Sequence, residues 1–592
     1  MKLLRQLVLL GLCALAVGVD ARPNIIVIYT DDHGWPDIGA AGINDDLRTP
    51  HLDKLAAAGV YAESGYSTAP QCVPSRAGLL IGKFQSRFGV ESNGDSLAGF
   101  NAELTIAERL KKAGYATGQI GKWHLGPTPE ITQHGFDDVY AKNANRPCAA
   151  NFTLDGKTIK MQQVNDKLYH LDACSQAAKA FIERHRQKPF FLYLAYRAPH
   201  VPLDAPEKYL SRFPAKMPKR RRQALAMISA MDDGVGLIRR TLKQHGLEKK
   251  TLIFYIGDNG APLKIHKLDA PGGGPGWDGS LNKPMNGEKG MLSEGGIRVP
   301  FLAAWPGTIP AGQVYRHPIV ALDVAATSVA LAGLPEDKSL DGVNLVPFLS
   351  GKVKGAPHDT LQWRWIAQAA IREGKWKFLK GGKREYLFDL ENDREELTNL
   401  LVSEPKVAAR LRSKLFAWSG ELKPAGLEAK GMSEVWENYY DFYLDGKPAP
   451  PLREKFRPDN SGDKQGWIAR NAKLEVRNKA LQVLPQSKRP PFLVLSKLKH
   501  KGAFKAKVQL SNEKPGRLGI SWRLEGQKDF ADDQVATVEI PVVPDFHEHE
   551  IDVPAKGTVI HVRLLLPAGR TSIRTIEFSS QSRAQNSWKF SK

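Results

Sequence analysis

The chain has 592 residues, 42% of them hydrophobic and 25% charged, a composition typical of a globular protein. It is too long for a single hydrophobic core, so we expect two or three domains. The formal net charge of +21 indicates a protein that meets anions, and it is compatible with nucleic acid, an anionic membrane or an acidic polysaccharide. A basic surface that serves only solubility would look the same.

The first residues have the layout of a secretory signal peptide. Lys2 and Arg5 precede an apolar run at 7–19, which is too short to span a bilayer, and a small-residue ending follows at Ala21. We therefore predict a signal peptide at 1–21 and a periplasmic or secreted protein without stable membrane insertion. Export argues against nucleic acid as a partner and favours an acidic glycan.

From residue 22 to about 360, short apolar runs alternate with amphipathic stretches. Residues 24–29 form a continuous apolar run, typical of a strand buried on both faces of a parallel sheet. Thr105 and Glu108 form a capping box that opens a helix through Lys112. Further strands are predicted at 115–120, 190–196 and 251–256, and further helices at 173–185 and 223–245. This alternation predicts an α/β fold with a doubly wound, mostly parallel sheet.

The remaining chain changes character twice. Residues 361–425 predict a small antiparallel sheet followed by a helix, and the stretch 426–466, rich in Pro, Gly and charge, is predicted as a linker. From 467 to 592 apolar residues recur with period two, which predicts an accessory β-sandwich. Residues 451–592 carry 26 Lys and Arg against 15 Asp and Glu, so about half of the excess positive charge lies there.

Four of the predicted strands end in polar residues that can do chemistry. Because ligands bind at the carboxyl ends of strands in open α/β sheets, we expect these residues to share one site. They are Asp31 and Asp32, Lys122 and His124, His200, and Asp258 with Asn259. Each alone could be a turn or cap residue, but four convergent endings indicate a site. The aspartates and Asn259 offer only oxygen ligands, which favours Ca²⁺ or Mg²⁺ over zinc.

Two further motifs complete the pattern. A Cys-x-Pro-Ser-Arg core occupies residues 72–76, and Gly-Glu-Lys-Gly at 287–290 precedes Glu-Gly-Gly-Ile-Arg-Val-Pro at 294–300. With the strand endings, these motifs make residues 22 to about 420 resemble the formylglycine-dependent (type I) sulfatases of the alkaline phosphatase-like superfamily.

The resemblance implies a role for each motif residue. Cys72 would be oxidised to formylglycine by a maturation enzyme, and one hydroxyl of the hydrated aldehyde would attack sulfur while the other would expel sulfate. A divalent metal would be held by Asp31, Asp32, Cys72, Asp258 and Asn259. The implied catalytic set is Cys72 as nucleophile, Arg76 on the aldehyde hydrate, Lys122 and Lys289 on the sulfate oxygens, His124 beside the nucleophile, and His200 near the leaving-group oxygen.

The resemblance also bears on the remaining cysteines. Cys13 would leave with the signal peptide and Cys72 would be modified, which leaves Cys148 and Cys174. In an oxidising compartment these two can form a disulfide, and two buried free thiols are the alternative.

Three functions stay open at this point. The first is an exported sulfatase that acts on a sulfated carbohydrate. The second is a formylglycine phosphodiester or phosphonate hydrolase, because relatives with the same nucleophile attack phosphorus. The third is a catalytically silent glycan-binding protein, against which the complete set of metal, nucleophile and sulfate-binding positions argues. The sugar, its sulfated position and endo or exo action are not readable from the sequence.

Overall fold

In a computed structural model of the chain we describe residues 22–143, 152–159, 167–263, 279–427, 432, 434–448, 464–486, 490–527, 530–580 and 583–590. The predicted signal peptide and Cys148, one half of the predicted disulfide, lie outside these residues. The chain divides into two compact units, Met1–Pro450 and Pro451–Lys592. Across the described ranges, no helix combines the length and apolar composition that a membrane span requires.

The first unit is built on a ten-stranded sheet. Its strands and those of two smaller sheets are β1 Asn24–Asp31, β2 Val60–Ala62, β3 Gly65–Tyr66, β4 Ala116–Gly121, β5 Asp138–Tyr140, β6 Phe152–Leu154, β7 Lys157–Thr158, β8 Phe190–Pro199, β9 Thr251–Gly257, β10 Phe301–Ala304, β11 Gln313–Tyr315, β12 Ile319–Val320, β13 Leu361–Trp365, β14 Gln368–Glu373, β15 Trp376–Gly381 and β16 Arg384–Asp389. The large sheet has the order β11-β2-β10-β9-β1-β8-β4-β5-β6-β7, and β3 pairs with β12. Its central strands β9, β1, β8, β4 and β5 are parallel, whereas β10 and the β6–β7 edge run antiparallel.

Strand β1 explains why this sheet is covered on both faces. Ile26 and Ile28 pack into one apolar cluster, and Ile25 and Val27 pack into another on the opposite face. The helices are α1 Pro50–Ala57, α2 Cys72–Ile81, α3 Ala98–Asn101, α4 Ile106–Lys112, α5 His170–His185, α6 Glu207–Leu210, α7 Lys219–Gln244, α8 Glu294–Ile297, α9 Asp323–Leu331, α10 Val346–Leu349, α11 Pro405–Ser419 and α12 Glu434–Tyr443. Helices α1, α5 and α7 cover the first face, and α2, α4 and α9 cover the second. The predicted doubly wound α/β fold is confirmed.

Tertiary partners extend some predicted elements. The helix predicted to begin at residue 223 begins at Lys219. Its first turn is basic, and Arg221 within it is buried because it pairs with Asp37 at 2.7 Å and with Asp46 at 2.6 Å. Pairing across the chain therefore adds a helical turn that a local pattern of charged residues does not predict.

Strands β13 to β16 form the predicted small antiparallel sheet, and α11 follows it. The stretch predicted as a linker differs from expectation, because it contains helix α12. Tyr439 and Tyr440 of this helix are buried against the small sheet. The stretch 426–466 as a whole is rich in proline, glycine and charged residues, so its composition did not indicate the short aromatic run that forms this helix.

The second unit consists of two antiparallel sheets with one core. Its strands are β17 Ile468–Arg470, β18 Ala472–Arg477, β19 Ala480–Pro485, β20 Phe492–Lys501, β21 Phe504–Asn512, β22 Gly516–Leu524, β23 Val535–Ile540, β24 Val543–Val553, β25 Thr558–Leu565, β26 Thr571–Ser580 and β27 Arg583–Lys589. The sheets have the orders β17-β20-β25-β22-β23 and β18-β19-β26-β21-β24, with β27 paired to β26. Alternate residues of both sheets enter one apolar cluster, as in the predicted β-sandwich.

Candidate active site

The carboxyl ends of four parallel strands meet at one edge of the large sheet. Asp31 is the last residue of β1, and Asp32 comes directly after it. Lys122 comes directly after β4, His200 after β8, and Asp258 with Asn259 after β9. The register pairs Asp31 with Pro199, directly before His200. Cys72 enters as the first residue of α2, and Lys289 lies on the loop that precedes α8. Residues separated by more than 200 positions in the chain thereby share one cluster.

Two features of the backbone orient the side chains of this cluster. Asp32 and His124 have positive φ angles of 59° and 64°, in the left-handed region that non-glycine residues rarely adopt. Gly121, with φ 95°, closes β4, and a Cβ atom at this position would lie 2.0 Å from the carbonyl oxygen of Ala195. Only glycine therefore lets β4 approach β8 closely at the point where Lys122 leaves the sheet.

Cys72 lies at the centre of the cluster. Its side chain is buried at the N-terminus of α2, where backbone N–H groups favour negative charge. The thiol donates to Oδ1 of Asp31 at 3.3 Å, and the Lys289 ammonium donates to the sulfur at 3.3 Å. Burial, with the negative charge of Asp258, raises the pKa of the Cys72 thiol despite the nearby lysines. The unmodified thiol is therefore neutral at pH 7 and a poor nucleophile.

Three cations match three carboxylates around this sulfur. The Nζ of Lys122 lies 2.6 Å from Asp31, the Nζ of Lys289 lies 2.6 Å from Asp32, and the Arg76 guanidinium lies 2.7 Å from Asp258. The most exposed of these six side chains is only 6% accessible. Such interactions are strong because little water remains to screen them.

The carboxylates do not titrate alike. Burial alone would raise the pKa of Asp31, but Lys122, His200 and Arg76 outweigh it and hold that pKa well below its usual range. Burial and the charge of Asp31 raise the pKa of Asp258 to about 7, although Arg76 opposes them. The same burial is therefore offset by neighbouring cations at Asp31 and not at Asp258.

The oxygen donors of the cluster fit a hard divalent cation. One donor atom from each of Asp31, Asp32, Cys72 and His200 lies within 4.8 Å of the others, so this group combines carboxylate oxygens with a sulfur and an imidazole nitrogen. Oδ2 of Asp32 and Oδ1 of Asn259 are buried acceptors for which the described residues provide no hydrogen-bond donor. Buried acceptors without donors are costly, and a cation bound by oxygen atoms would satisfy both. Asp258 sits beside them, its Oδ1 accepting from the backbone N–H of Asp32 at 3.0 Å.

The two predicted histidines occupy different depths. His200 is about one-fifth exposed, its Nδ1–H donates to the carbonyl of Val201 at 2.6 Å, and its Nε2 faces Asp32 at 3.6 Å. Burial lowers the pKa of His200 to about 4, although Asp31 and Asp32 oppose this shift. His124 is exposed at the rim of the site. All ten residues predicted from the sequence thus belong to one cluster or lie beside it.

The sequence did not indicate two tyrosines that hold Arg76. The Tyr193 hydroxyl accepts from Arg76 at 3.4 Å, and the guanidinium lies 5.5 Å from the centre of the Tyr29 ring. Both tyrosines are fully buried in strands. Their positions read as ordinary core positions, so no local signal distinguishes them.

Comparison with known proteins relates this geometry to one group of enzymes. A family model described as Sulfatase matches residues 23–334, and one described as N-sulphoglucosamine sulphohydrolase, C-terminal, matches 287–419. N-acetylgalactosamine-6-sulfatase of Mus musculus is 34% identical over 425 residues, covering 66% of this chain and 77% of that protein. The crystal structure of Ps i-CgsB in complex with k-i-k-neocarrahexaose is 31% identical with a TM-score of 0.60, covering 72% and 98% of the two chains. That of the PsFucS1 sulfatase from Pseudoalteromonas sp. is 25% identical with a TM-score of 0.58, covering 69% and 92%.

Proposed function

This chain belongs to the sulfatase family and is a sulfuric ester hydrolase, and we propose that it removes sulfate esters from a sulfated carbohydrate at the cluster around Cys72. Within this proposal Cys72 acts as formylglycine after maturation, and the protein is exported to the periplasm or secreted. The observation that carries the proposal is the position of Cys72, buried at a helix N-terminus with a carboxylate and an ammonium group each 3.3 Å from its sulfur. A carbohydrate substrate is supported by the names of the relatives, which include an N-acetylgalactosamine-6-sulfatase.

Asp31, Asp32, Asp258 and Asn259 would hold a divalent metal together with the modified Cys72. Four protein oxygen donors favour Ca²⁺ or Mg²⁺. The two buried acceptors that lack donors among the described residues, on Asp32 and Asn259, support this assignment. When bound, the metal supplies positive charge that polarises a sulfate oxygen and the nucleophile.

The remaining cations are arranged for an anionic substrate. The hydrated aldehyde supplies a hydroxyl nucleophile in place of the neutral thiol. Lys289 contacts the Cys72 sulfur, and Lys122 pairs with Asp31, which accepts from the same thiol, so both lysines can bind the non-bridging oxygens of a sulfate placed there. Arg76, held by Asp258 and two tyrosines, can orient the nucleophile. Such preorganised charge stabilises the transition state without reorientation of the protein.

The histidines are suited to proton transfer. The Val201 carbonyl accepts from the Nδ1–H of His200, so the Nε2 of that ring faces the site, where the doubly protonated ring would donate to the leaving-group oxygen. His124, two residues after Lys122, lies at the rim, where it can take a proton from the nucleophile.

The reaction class is tested by substrate comparison. We expect kcat/KM on aryl and sugar sulfates to exceed that on matched phosphodiesters, since the site presents several cations to a monoester anion. A clear preference for the phosphodiester would instead assign the chain to formylglycine phosphodiester hydrolysis. Absence of turnover on every ester, together with glycan binding, would indicate a catalytically silent protein.

The nucleophile is tested by mass spectrometry. In a host with a formylglycine-generating enzyme, the peptide that contains Cys72 is expected to have lost H₂S and gained O. The Cys72→Ala variant is expected to fold normally and to hydrolyse nothing. Sequencing the N-terminus of the exported protein tests cleavage after Ala21.

A further inference from the structure

The loop 286–290 carries Lys289 into the site and is contacted by helix α12. Asn286 donates through Nδ2 to the carbonyl of Tyr443 at 2.6 Å, and the Tyr443 hydroxyl donates to Oε1 of Glu288 at 3.1 Å. Glu288 is fully buried, and its other oxygen accepts from the backbone N–H of Leu263. One residue of α12 thus holds two points of the loop on the N-terminal side of Lys289.

Trp436 holds the other side of Lys289. Gly290 has a φ of 93°, and a Cβ atom there would lie 2.4 Å from Cζ3 of the Trp436 ring. The indole therefore rests directly on the backbone of the residue that follows Lys289. Trp436 is fixed in turn by Trp365, with the two rings perpendicular and 4.7 Å apart.

A third contact runs through a buried glutamine. Gln368 donates to the carbonyl of Gly290 at 2.9 Å, and the hydroxyl of Tyr440 in α12 donates to Gln368 at 2.8 Å. Both side chains are buried. Helix α12 therefore contacts the loop directly on both sides of Lys289. It also contacts the Gly290 carbonyl indirectly, through Gln368.

We propose that α12 is a brace that fixes the Lys289 ammonium at the sulfate subsite, with Trp436 and Tyr443 as positioning residues. A lysine side chain has four rotatable bonds, so a defined ammonium position requires an anchored backbone as well as the ion pair with Asp32. Helix α12 lies beyond both segments that match sulfatase family models, 23–334 and 287–419. The inference rests on the proposed sulfate-binding role of Lys289.

The test measures the affinity of the matured, metal-loaded full-length protein for inorganic sulfate by calorimetry, beside kcat/KM on a small aryl sulfate. Because small displacements of a binding group carry large penalties, Trp436→Ala is expected to raise the sulfate Kd and lower kcat/KM about tenfold. Tyr443→Phe, which deletes one hydroxyl and keeps the ring, is expected to change both about threefold. Trp436→Phe is expected to restore most of the loss because it keeps an aromatic ring over Gly290.

Two controls separate positioning from stability. Leu411→Ala, in α11 and buried in the same apolar cluster, is expected to lower Tm without changing the sulfate Kd. In a Lys289→Ala background, Trp436→Ala is expected to add no further rise in Kd. An unchanged Kd in the Trp436 and Tyr443 variants of an active enzyme, or a rise that persists without Lys289, overturns the brace. A wild-type protein that neither binds sulfate nor hydrolyses any sulfate ester overturns the proposed function instead.

Discussion

Two groups of charged residues in this protein have similar pair distances, but one group is buried and the other is exposed. In the first unit, Lys122 and Lys289 lie 2.6 Å from their aspartates with side chains 6% and 5% exposed. In the second unit, Lys505 and Lys507 on β21 lie 2.7 Å and 2.9 Å from glutamates of β24, with side chains 41% and 34% exposed. Distance alone does not distinguish the two groups, and burial does.

The difference shows why the net charge of +21 does not locate the active site. Exposed pairs such as those on β21 are hydrated and screened by salt, so they restrain the side chains weakly and contribute little to stability. Buried pairs are expensive to assemble, and they persist where neighbouring groups hold them in one geometry. The dry, convergent group of the first unit therefore has the properties that transition-state stabilisation requires.

The largest expected effect on activity comes from removing the proposed divalent metal. Chelation, or Asp31→Ala, is expected to abolish activity, because the remaining buried carboxylates cannot be satisfied without the cation. Metal content by mass spectrometry and activity should fall together, and Ca²⁺ or Mg²⁺ should restore the chelated wild type. Stoichiometric zinc that is required for turnover would contradict the oxygen-donor assignment.

A matched pair of lysine substitutions tests the comparison itself. Lys122→Ala is expected to lower kcat/KM by about 10²–10³-fold, because it removes a preorganised charge from a water-poor site. Lys507→Ala on the sandwich is expected to leave kcat/KM and Tm unchanged. Similar losses in both variants would show that burial does not separate the two groups.

Burial should also govern stability away from the candidate active site. Lys377 is fully buried between Glu294 at 2.9 Å and Glu396 at 2.8 Å. Lys377→Met removes the cation 2.8 Å from the buried Glu396 and leaves Glu294 paired with Arg298 at 3.2 Å, so we expect the free energy of unfolding to fall by about 3–5 kcal/mol. Lys375→Met, two residues away, serves as the control because this lysine is 40% exposed and its partner Asp389 still accepts from Asn392 and the backbone N–H of Glu391, so the denaturation midpoint should stay unchanged.

A smaller effect is expected in the pH dependence of stability. Burial by itself lowers the pKa of His358, but the Asp323 carboxylate 2.8 Å away outweighs it and raises that pKa above the ordinary value of 6.5. The stabilisation is therefore complete below pH 6.5 and is lost as the pH rises through the raised pKa. His358→Gln should lower Tm most at acidic pH and converge with the wild type at alkaline pH. A gap that is constant with pH would argue against this ion pair.

The smallest expected effect concerns the second unit. A chain that ends at Pro450 is expected to keep its turnover of small aryl sulfates. If the basic sandwich helps to hold a polyanionic glycan, KM on long sulfated polymers should rise, more strongly at low salt. An equal loss on both substrates, or an insoluble product, would instead assign the sandwich a structural role.

Local patterns were sufficient for most of the architecture. The apolar run of β1, the capping box at Thr105 and the period-two segments of the sandwich are near-neighbour signals, and all three appear in the structure. The strand-end residues of the candidate site were also predictable, because the carboxyl ends of parallel strands lie at one edge of the sheet. Cys72, Arg76 and Lys289 were assigned to the site only by the resemblance to the sulfatases. Neither inference needed a contact between distant residues.

Only the tertiary structure decided what supports that site. Asn286 and Tyr443 are 157 positions apart, and Arg76 and Tyr193 are 117 apart, so neither pair has a signature within any sequence window. The sequence did not predict helix α12 for the same reason. Its aromatic residues pack against the small sheet, which is formed by residues distant in the chain. Secondary structure and motif chemistry are encoded locally, whereas packing partners are selected by the assembled fold.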